Sequence, residues 1–427
     1  MRYPLIEELR SGQFLFPAYL AQVKARFAKD EPSILAFLPE DDRFTRLQED
    51  AEKLLLSYPD VVKRPFLFGT LLGVKDIFHA GGFTTQAGSR LPADVLQGQE
   101  AESVKRLKEA GALIMGKTVT TEFAYFSPGP TRNPHNIEHT PGGSSSGSAA
   151  AVAAGFCQLA LGTQTIGSII RPASFCGVIG FKPSYDRISR QGVIPLSPSL
   201  DHVGFFASDL DTAIAAARVL FDHWDEPTLP LRKPRLGIPE GPYLQNASVD
   251  NLSHFQDVHK LLENAGYEVH AVQLMSDFAE VRARHDVIMS AEAAYGHADW
   301  FANYASLYSP KFTELIQRGK KITNPQLQSA LSVREDFRAE MRRAFLDHNI
   351  DLWICPSAID AAPKGLDSTG DPVMNLPWTQ AGLPTLNLPV GKNQVGLPLG
   401  LQIVANWYKD ESLLFWSRDL EKVLSTL

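Results

Sequence analysis

Apolar positions in the first part of the chain recur at helical spacing. Over 16–27 and 44–56 they form a stripe with charged residues between them, which predicts two amphipathic helices in an N-terminal helical segment, 1–60. Beyond it the period switches back and forth. Short apolar runs of strand length lie at 66–74, 112–115, 158–161, 178–181, 203–207, 235–238, 268–272, 352–355, 385–388 and 399–404. Helical patterns cover 101–110, 209–221, 251–265, 279–293, 325–348 and 411–424 between and after them. Such alternation predicts an α/β fold: a single large domain over 1–427, with a central sheet covered by helices on both faces. Residues 275–348 are nearly all helical in pattern, and no repeat or long linker divides the chain.

Composition narrows the function classes. Of 427 residues, 44% are hydrophobic and 21% charged, an ordinary globular balance. The net charge is −7 and no basic run occurs, so no nucleic-acid partner is expected. No apolar run approaches the roughly 18 residues of a membrane span, and the N-terminal MRYPLIEELRSGQ lacks a signal-peptide core. A cytoplasmic protein without a membrane partner is expected. Cys157, Cys176 and Cys355 sit in apolar company and read as buried free thiols.

The candidate chemistry lies in 142–168, GGSSSGSAAAVAAGFCQLALGTQTIGS. It carries Ser144, Ser145 and Ser146 at one end and Ser168, after Ile166 and Gly167, at the other. Upstream, Lys75 closes the apolar run Leu71-Leu72-Gly73-Val74, which reads as a short buried strand. A serine hydroxyl needs a base to become a nucleophile. Lysine can be that base only when neutral, and burial disfavours its charged form. Two serines and a desolvated lysine suffice for acyl transfer without histidine. The run 146–154 reads as a tightly packed helix ended by Gly155, its positive end near the serines.

Two other motifs compete. Gly143-Ser144-Ser145-Ser146-Gly147 matches G-x-S-x-G, but that elbow follows a strand, and Glu138-His139-Thr140-Pro141-Gly142 reads as a turn. His135-Asn136-Ile137-Glu138-His139 matches H-x-x-E-H, which binds metal only from a helix. Pro134 and Pro141 fence a segment too short for one, so a loop and no metal are expected.

Long motifs then carry a family resemblance. They are Gly73-Val74-Lys75-Asp76, Thr84-Thr85-Gln86-Ala87-Gly88-Ser89, Thr131-Arg132-Asn133-Pro134, Pro141-Gly142-Gly143-Ser144-Ser145, Leu161-Gly162-Thr163, Gly167-Ser168, Phe175-Cys176-Gly177, Phe181-Lys182-Pro183, Gly382-Leu383-Pro384 and Gly396-Leu397-Pro398-Leu399-Gly400-Leu401-Gln402. Together they resemble the amidase signature family, the Ser-Ser-Lys hydrolases, and imply that family's fold with a mixed sheet. The resemblance implies Ser168 as nucleophile, Ser144 as the bridging serine after a cis peptide bond, and Lys75 as general base. It implies an oxyanion hole of backbone N–H groups from Thr165, Ile166, Gly167 and Ser168, with Gly167 permitting the tight turn. Ser144 and Ser168 stand 24 positions apart, as the family motif requires. Residues 275–348 resemble the family's variable insertion and are expected to cap the pocket within the same domain.

Three positions depart from the commonest family pattern. Gln164 replaces the usual aspartate, Ile166 a glycine, and Ile170 an arginine that here comes one place later as Arg171. Ile166 is β-branched, so a negative φ is expected there. Ser145 and Arg171 read as structural and Lys182 as a member of a structural ion pair. Asp76 either orients Lys75 or caps a turn. Tyr125, Phe126 and Trp378 are candidate substrate-binding aromatics. The expected activity is hydrolysis of a C–N bond in a small neutral amide through an acyl-enzyme, with no cofactor. The same machinery would cleave a carbamate, urea-like or ester bond. A further alternative is the amide-cleaving subunit of a glutamine-dependent tRNA amidotransferase, against which the three departures argue. The expected partner is a small-molecule amide or carbamate, and a homodimer is left open.

Overall fold

The computed structural model describes residues 6–228 and 232–425. Its strands are β1 (Leu71–Lys75), β2 (Leu113–Thr118), β3 (Leu159–Gln164), β4 (Ile179–Lys182), β5 (His202–Ala207), β6 (Leu236–Glu240), β7 (Val269–Gln273), β8 (Leu352–Pro356), β9 (Thr385–Lys392) and β10 (Pro398–Ala405). They form one sheet in the order β2-β1-β3-β5-β4-β9-β10-β8-β6-β7. The two ends are parallel: β1 lies between β2 and β3, and β6 between β7 and β8. The middle is antiparallel, from β3 through β5, β4, β9 and β10 to β8. β1, β3 and β5 are buried at every position, which is why their sequences show no apolar–polar alternation. Only the edge strand β7 is largely exposed.

Strand periodicity sends neighbouring residues to opposite faces. Phe205 packs into the core that includes Val104, Leu161 and Ala213, whereas Phe206 packs with Val23, Leu47 and Ala150 on the other face. The N-terminal helices Phe16–Ile34 and Arg43–Ser57 cover that second face. One expected strand start moves. Residues 66–69 are turn and Thr70 is irregular rather than strand, with Gly69 at φ 74, and the ladder begins only at Leu71.

The expected helical stretch is four main helices, Phe278–Gly296, Ala298–Tyr304, Pro310–Gly319 and Asn324–Asp347. Ser309 caps the third, and Thr323 with Gln326 forms a capping box on the fourth. The stretch docks onto two loops of the sheet: Ser309 N donates to Glu122 at 3.0 Å, and Arg334 donates to the Ser199 carbonyl at 2.7 Å. Among the described residues, no helix is long and apolar enough to cross a membrane.

Candidate active site

Three neighbouring elements meet at one end of the sheet. β1 runs beside β3 with Val74 opposite Leu161, so Lys75 at the strand end reaches Thr163. The helix Ser146–Ala153 lies against β3 and is sewn to it by serines. Ser148 donates to the Leu161 carbonyl at 2.8 Å, and Ser145 Oγ lies 3.3 Å from both the amide and the carbonyl of Thr163. Small residues are required for this contact. A Cβ on Gly147 would lie 2.2 Å from the Ala36 carbonyl oxygen, and one on Gly162 would lie 3.0 Å from Ser145 Oγ. Ser145 Oγ is thus engaged by the backbone of Thr163.

Just before the helix, the Gly143–Ser144 peptide bond is cis. Lys75 Nζ stands 2.8 Å from Ser144 Oγ and 2.8 Å from Thr163 Oγ1. The lysine is fully buried. Burial holds its ammonium well below the ordinary lysine range, opposed by the charge of Asp201. Asp201 is buried too, and that burial pushes its carboxyl up to about 6 against hydrogen bonds from Thr165 and the backbone. Thr165 Oγ1 donates to Asp201 Oδ1 at 2.6 Å.

Asp76 does not orient Lys75. It pairs with Lys117 at 2.8 Å and accepts the Gln86 amide at 3.1 Å, closing the turn after β1. Lys182 makes no ion pair among the described residues, contrary to expectation. Its amine is held by the carbonyls of Leu383 at 2.5 Å and Pro183 at 3.3 Å, and burial lowers its pKa to about 7.

The loop 165–168 joins β3 to the short helix Ile170–Cys176. Gln164 organises it. Its Oε1 accepts the amides of Ile169 at 2.8 Å and Ile170 at 2.9 Å, while its Nε2 donates to Thr379. Ile166 takes no positive φ, as its branched side chain requires. Neither does Gly167, so conformational freedom is not why glycine stands there. A Cβ at Gly167 would lie 2.3 Å from Asn375 Oδ1 and 2.8 Å from Pro372 Cβ. Close approach, not a left-handed backbone, demands the glycine.

Ser144, Thr165, Ile166 and Ser168 line one narrow slot, together with Tyr125 and Phe126. Trp378, the third candidate aromatic, is elsewhere. It is fully buried, donates from Nε1 to Tyr243 OH at 2.8 Å, and packs in the core behind the loop. Arg171 borders the slot but is spent on structure: it donates to the carbonyls of Gly143 at 2.6 Å and Gly370 at 2.8 Å. The 135–139 side chains diverge. His135 contacts the Cys176 carbonyl, His139 the Ala362 carbonyl, and Glu138 pairs with Lys364.

Four residues of the site were not singled out by sequence reading: Thr163, Asp201, Asn375 and Thr379. Thr163 lies within the Leu161-Gly162-Thr163 motif, and strand pairing alone brings it to Lys75. Asp201, a lone acid just before the apolar run of β5, carries a faint signal as a buried carboxyl. Asn375 and Thr379 come from a distant segment, and nothing local marks them.

Comparison with known proteins gives the family and the fold. The profile of the family described as Amidase matches residues 41–414. The A subunit of the glutamyl-tRNA(Gln) amidotransferase of Synechococcus sp. (strain RCC307) is 32% identical, over 96% of this chain and 94% of its own. A crystal structure of an amidase superposes with a TM-score of 0.87 at 30% identity, covering 97% of this chain and 98% of that one. The peptide amidase of Stenotrophomonas maltophilia superposes at 0.80 with 25% identity, covering 98% and 96%.

Proposed function

This chain belongs to the amidase signature family and is an amidohydrolase acting on C–N bonds; from that premise we propose that it hydrolyses a small neutral amide through a Ser168–Ser144–Lys75 triad. The observation that carries the reading is the fully buried Lys75 Nζ at 2.8 Å from Ser144 Oγ, a serine that shares its slot with Ser168. A lysine kept neutral by burial can accept a proton that a charged one cannot.

In this reading Ser168 Oγ attacks the amide carbon and passes its proton through Ser144 Oγ to Lys75 Nζ. The oxyanion takes hydrogen bonds from backbone N–H groups of the loop from Thr165 to Ser168. Collapse breaks the C–N bond, and Ser144 hands the proton to the departing nitrogen. Water then attacks the ester on Ser168, its proton following the same relay, and the acid leaves. Tyr125 and Phe126 flank the acyl group. The chain acts as one domain, with 275–348 as a cap over the slot. The docking of Ser309 and Arg334 on the loops beside the slot supports that placement.

A second reading has its own support. The curated relatives include glutamyl-tRNA(Gln) amidotransferase chains of about this length and about 30% identity. It requires glutaminase activity and further protein partners. The same residues would also serve a carbamate, urea-like or ester substrate. Purified protein assayed alone against anilides, aliphatic amides, carbamates and glutamine separates these readings. Turnover of simple amides without glutamine is the expected result, and glutamine turnover alone would establish the second reading.

A further inference from the structure

We propose that a chamber beside the serine slot receives an apolar substituent carried by the leaving nitrogen, so that the preferred substrate is an N-substituted amide. The inference rests on the triad reading above. The slot encloses only about 10 Å³, roughly one water-sized group by the usual cavity measure. A reacting carbonyl fills it. The chamber measures about 280 Å³ and shares Ala124, Thr165 and Leu196 with the slot, so the two spaces adjoin. A cavity of about 150 Å³ lined by aliphatic side chains accepts a benzene ring, so the chamber has room for a ring and its linker.

The wall is largely apolar, with Ile77, Val193, Ile194, Pro195 and Val203 facing the space. Its charged members are engaged with protein groups. Asp201 accepts from Thr165 Oγ1 and from the amides of Leu196 and Ser197, and Arg190 pairs with Asp186 at 2.9 Å. An apolar group entering there strands neither charge; His202, also in the wall, already keeps its buried Nε2 without a hydrogen-bond partner among the described residues.

The relay decides which end of the substrate enters. Thr163 lines the chamber and not the slot, and its hydroxyl lies 2.8 Å from Lys75 Nζ. Tyr125, Phe126 and Thr369 line the slot and not the chamber. The proton returned from Lys75 reaches the departing nitrogen through Ser144, which lines the slot; Thr163, beside Lys75, lines the chamber, and the nitrogen's substituent is assigned to that side. As the Ser168 Oγ–C bond forms and the C–N bond breaks, the amine departs with its substituent and the proton Ser168 released.

The test compares kcat/KM for N-benzyl and N-methyl amides of one acid, each divided by its rate of alkaline hydrolysis so that the different basicity of the leaving amines is removed. The wild type is expected to favour N-benzyl by about tenfold or more, the scale of a filled hydrophobic pocket. Val193→Trp, which fills the chamber, should cut that ratio about tenfold. Val193→Ala, which enlarges it, should extend the preference to N-naphthylmethyl and serves alone if the tryptophan variant does not fold. A wild-type ratio near one, or a ratio that neither variant moves, overturns the chamber while leaving the triad standing. A folded wild type that cleaves neither amide removes the simple-amide reading and this inference with it.

Discussion

Gln164 Nε2 donates to Thr379 Oγ1 at 2.9 Å, and Thr379 in turn donates to the Ile166 carbonyl at 2.6 Å. The pair therefore clamps the loop 165–168 from both sides, because Gln164 Oε1 also holds the amides of Ile169 and Ile170. An aspartate or glutamate at 164 could accept those amides but could not donate to Thr379. Gln164→Glu is expected to lower kcat by about 10–100-fold, less than the roughly 10²–10³-fold lost with an oxyanion donor itself, with KM little changed. Thr379→Val should behave similarly, and the double variant should be no worse than the poorer single one, since both act on one clamp. Steady-state kinetics on one amide checks this; additive losses would show that the two side chains act separately.

Ser168→Ala should abolish turnover with the fold intact by circular dichroism. Ser144→Ala should leave residual activity, down by several orders of magnitude; acid-base steps commonly supply about 10²–10⁴-fold, and this hydroxyl serves both directions of transfer. A serine-directed phosphonate should label Ser168, read by peptide mass spectrometry. Label on Ser145 would overturn the assignment.

Lys75 must be neutral to act, so kcat/KM should rise with pH through its folded pKa and be lost below it. Desolvation sets that pKa well below the ordinary lysine value, and the Asp201 charge pulls it back up. Asp201→Asn removes the opposing charge, so its acidic limb should move to lower pH. Lys75→Arg should be inactive, because arginine stays protonated at any usable pH. A pH profile of the three proteins on one amide is the measurement, and a limb that moves upward in Asp201→Asn would contradict the electrostatic account.

Gly167→Ala should destabilise the fold by about 1–3 kcal/mol, the usual cost of overpacking. The new methyl would press on Asn375 Oδ1 and Pro372 Cβ, both within a buried segment. Thermal melts check the direction. Combination with Asn375→Ala should recover part of the loss, which separates a steric cause from a backbone one.

The linear sequence by itself determined the alternation of strands and helices, the two-faced cover of the sheet and the local serine geometry. Those features depend on near neighbours: the unbroken run of small residues over Ser146–Ala153 forms its helix from local pattern, whatever distant segments it then packs against. The lysine's desolvation was also legible, since it ends an apolar run that reads as a short buried strand. The strand start at Leu71 was not, because Pro65 and Gly69 bend a stretch whose apolar content continues without a break.

Tertiary structure alone decided the rest. Thr163 meets Lys75 through strand pairing, Asp201 arrives on the adjacent β5 register, and Thr379 and Asn375 come from a segment about two hundred positions beyond the loop they support. The same holds for the aromatics. Tyr125, Phe126 and Trp378 have the same apolar character in sequence, yet the first two border the slot and the third is sealed in the core. Side-chain chemistry is written in the chain, but which groups share one small volume depends on contacts between distant segments, and local pattern carries no record of those.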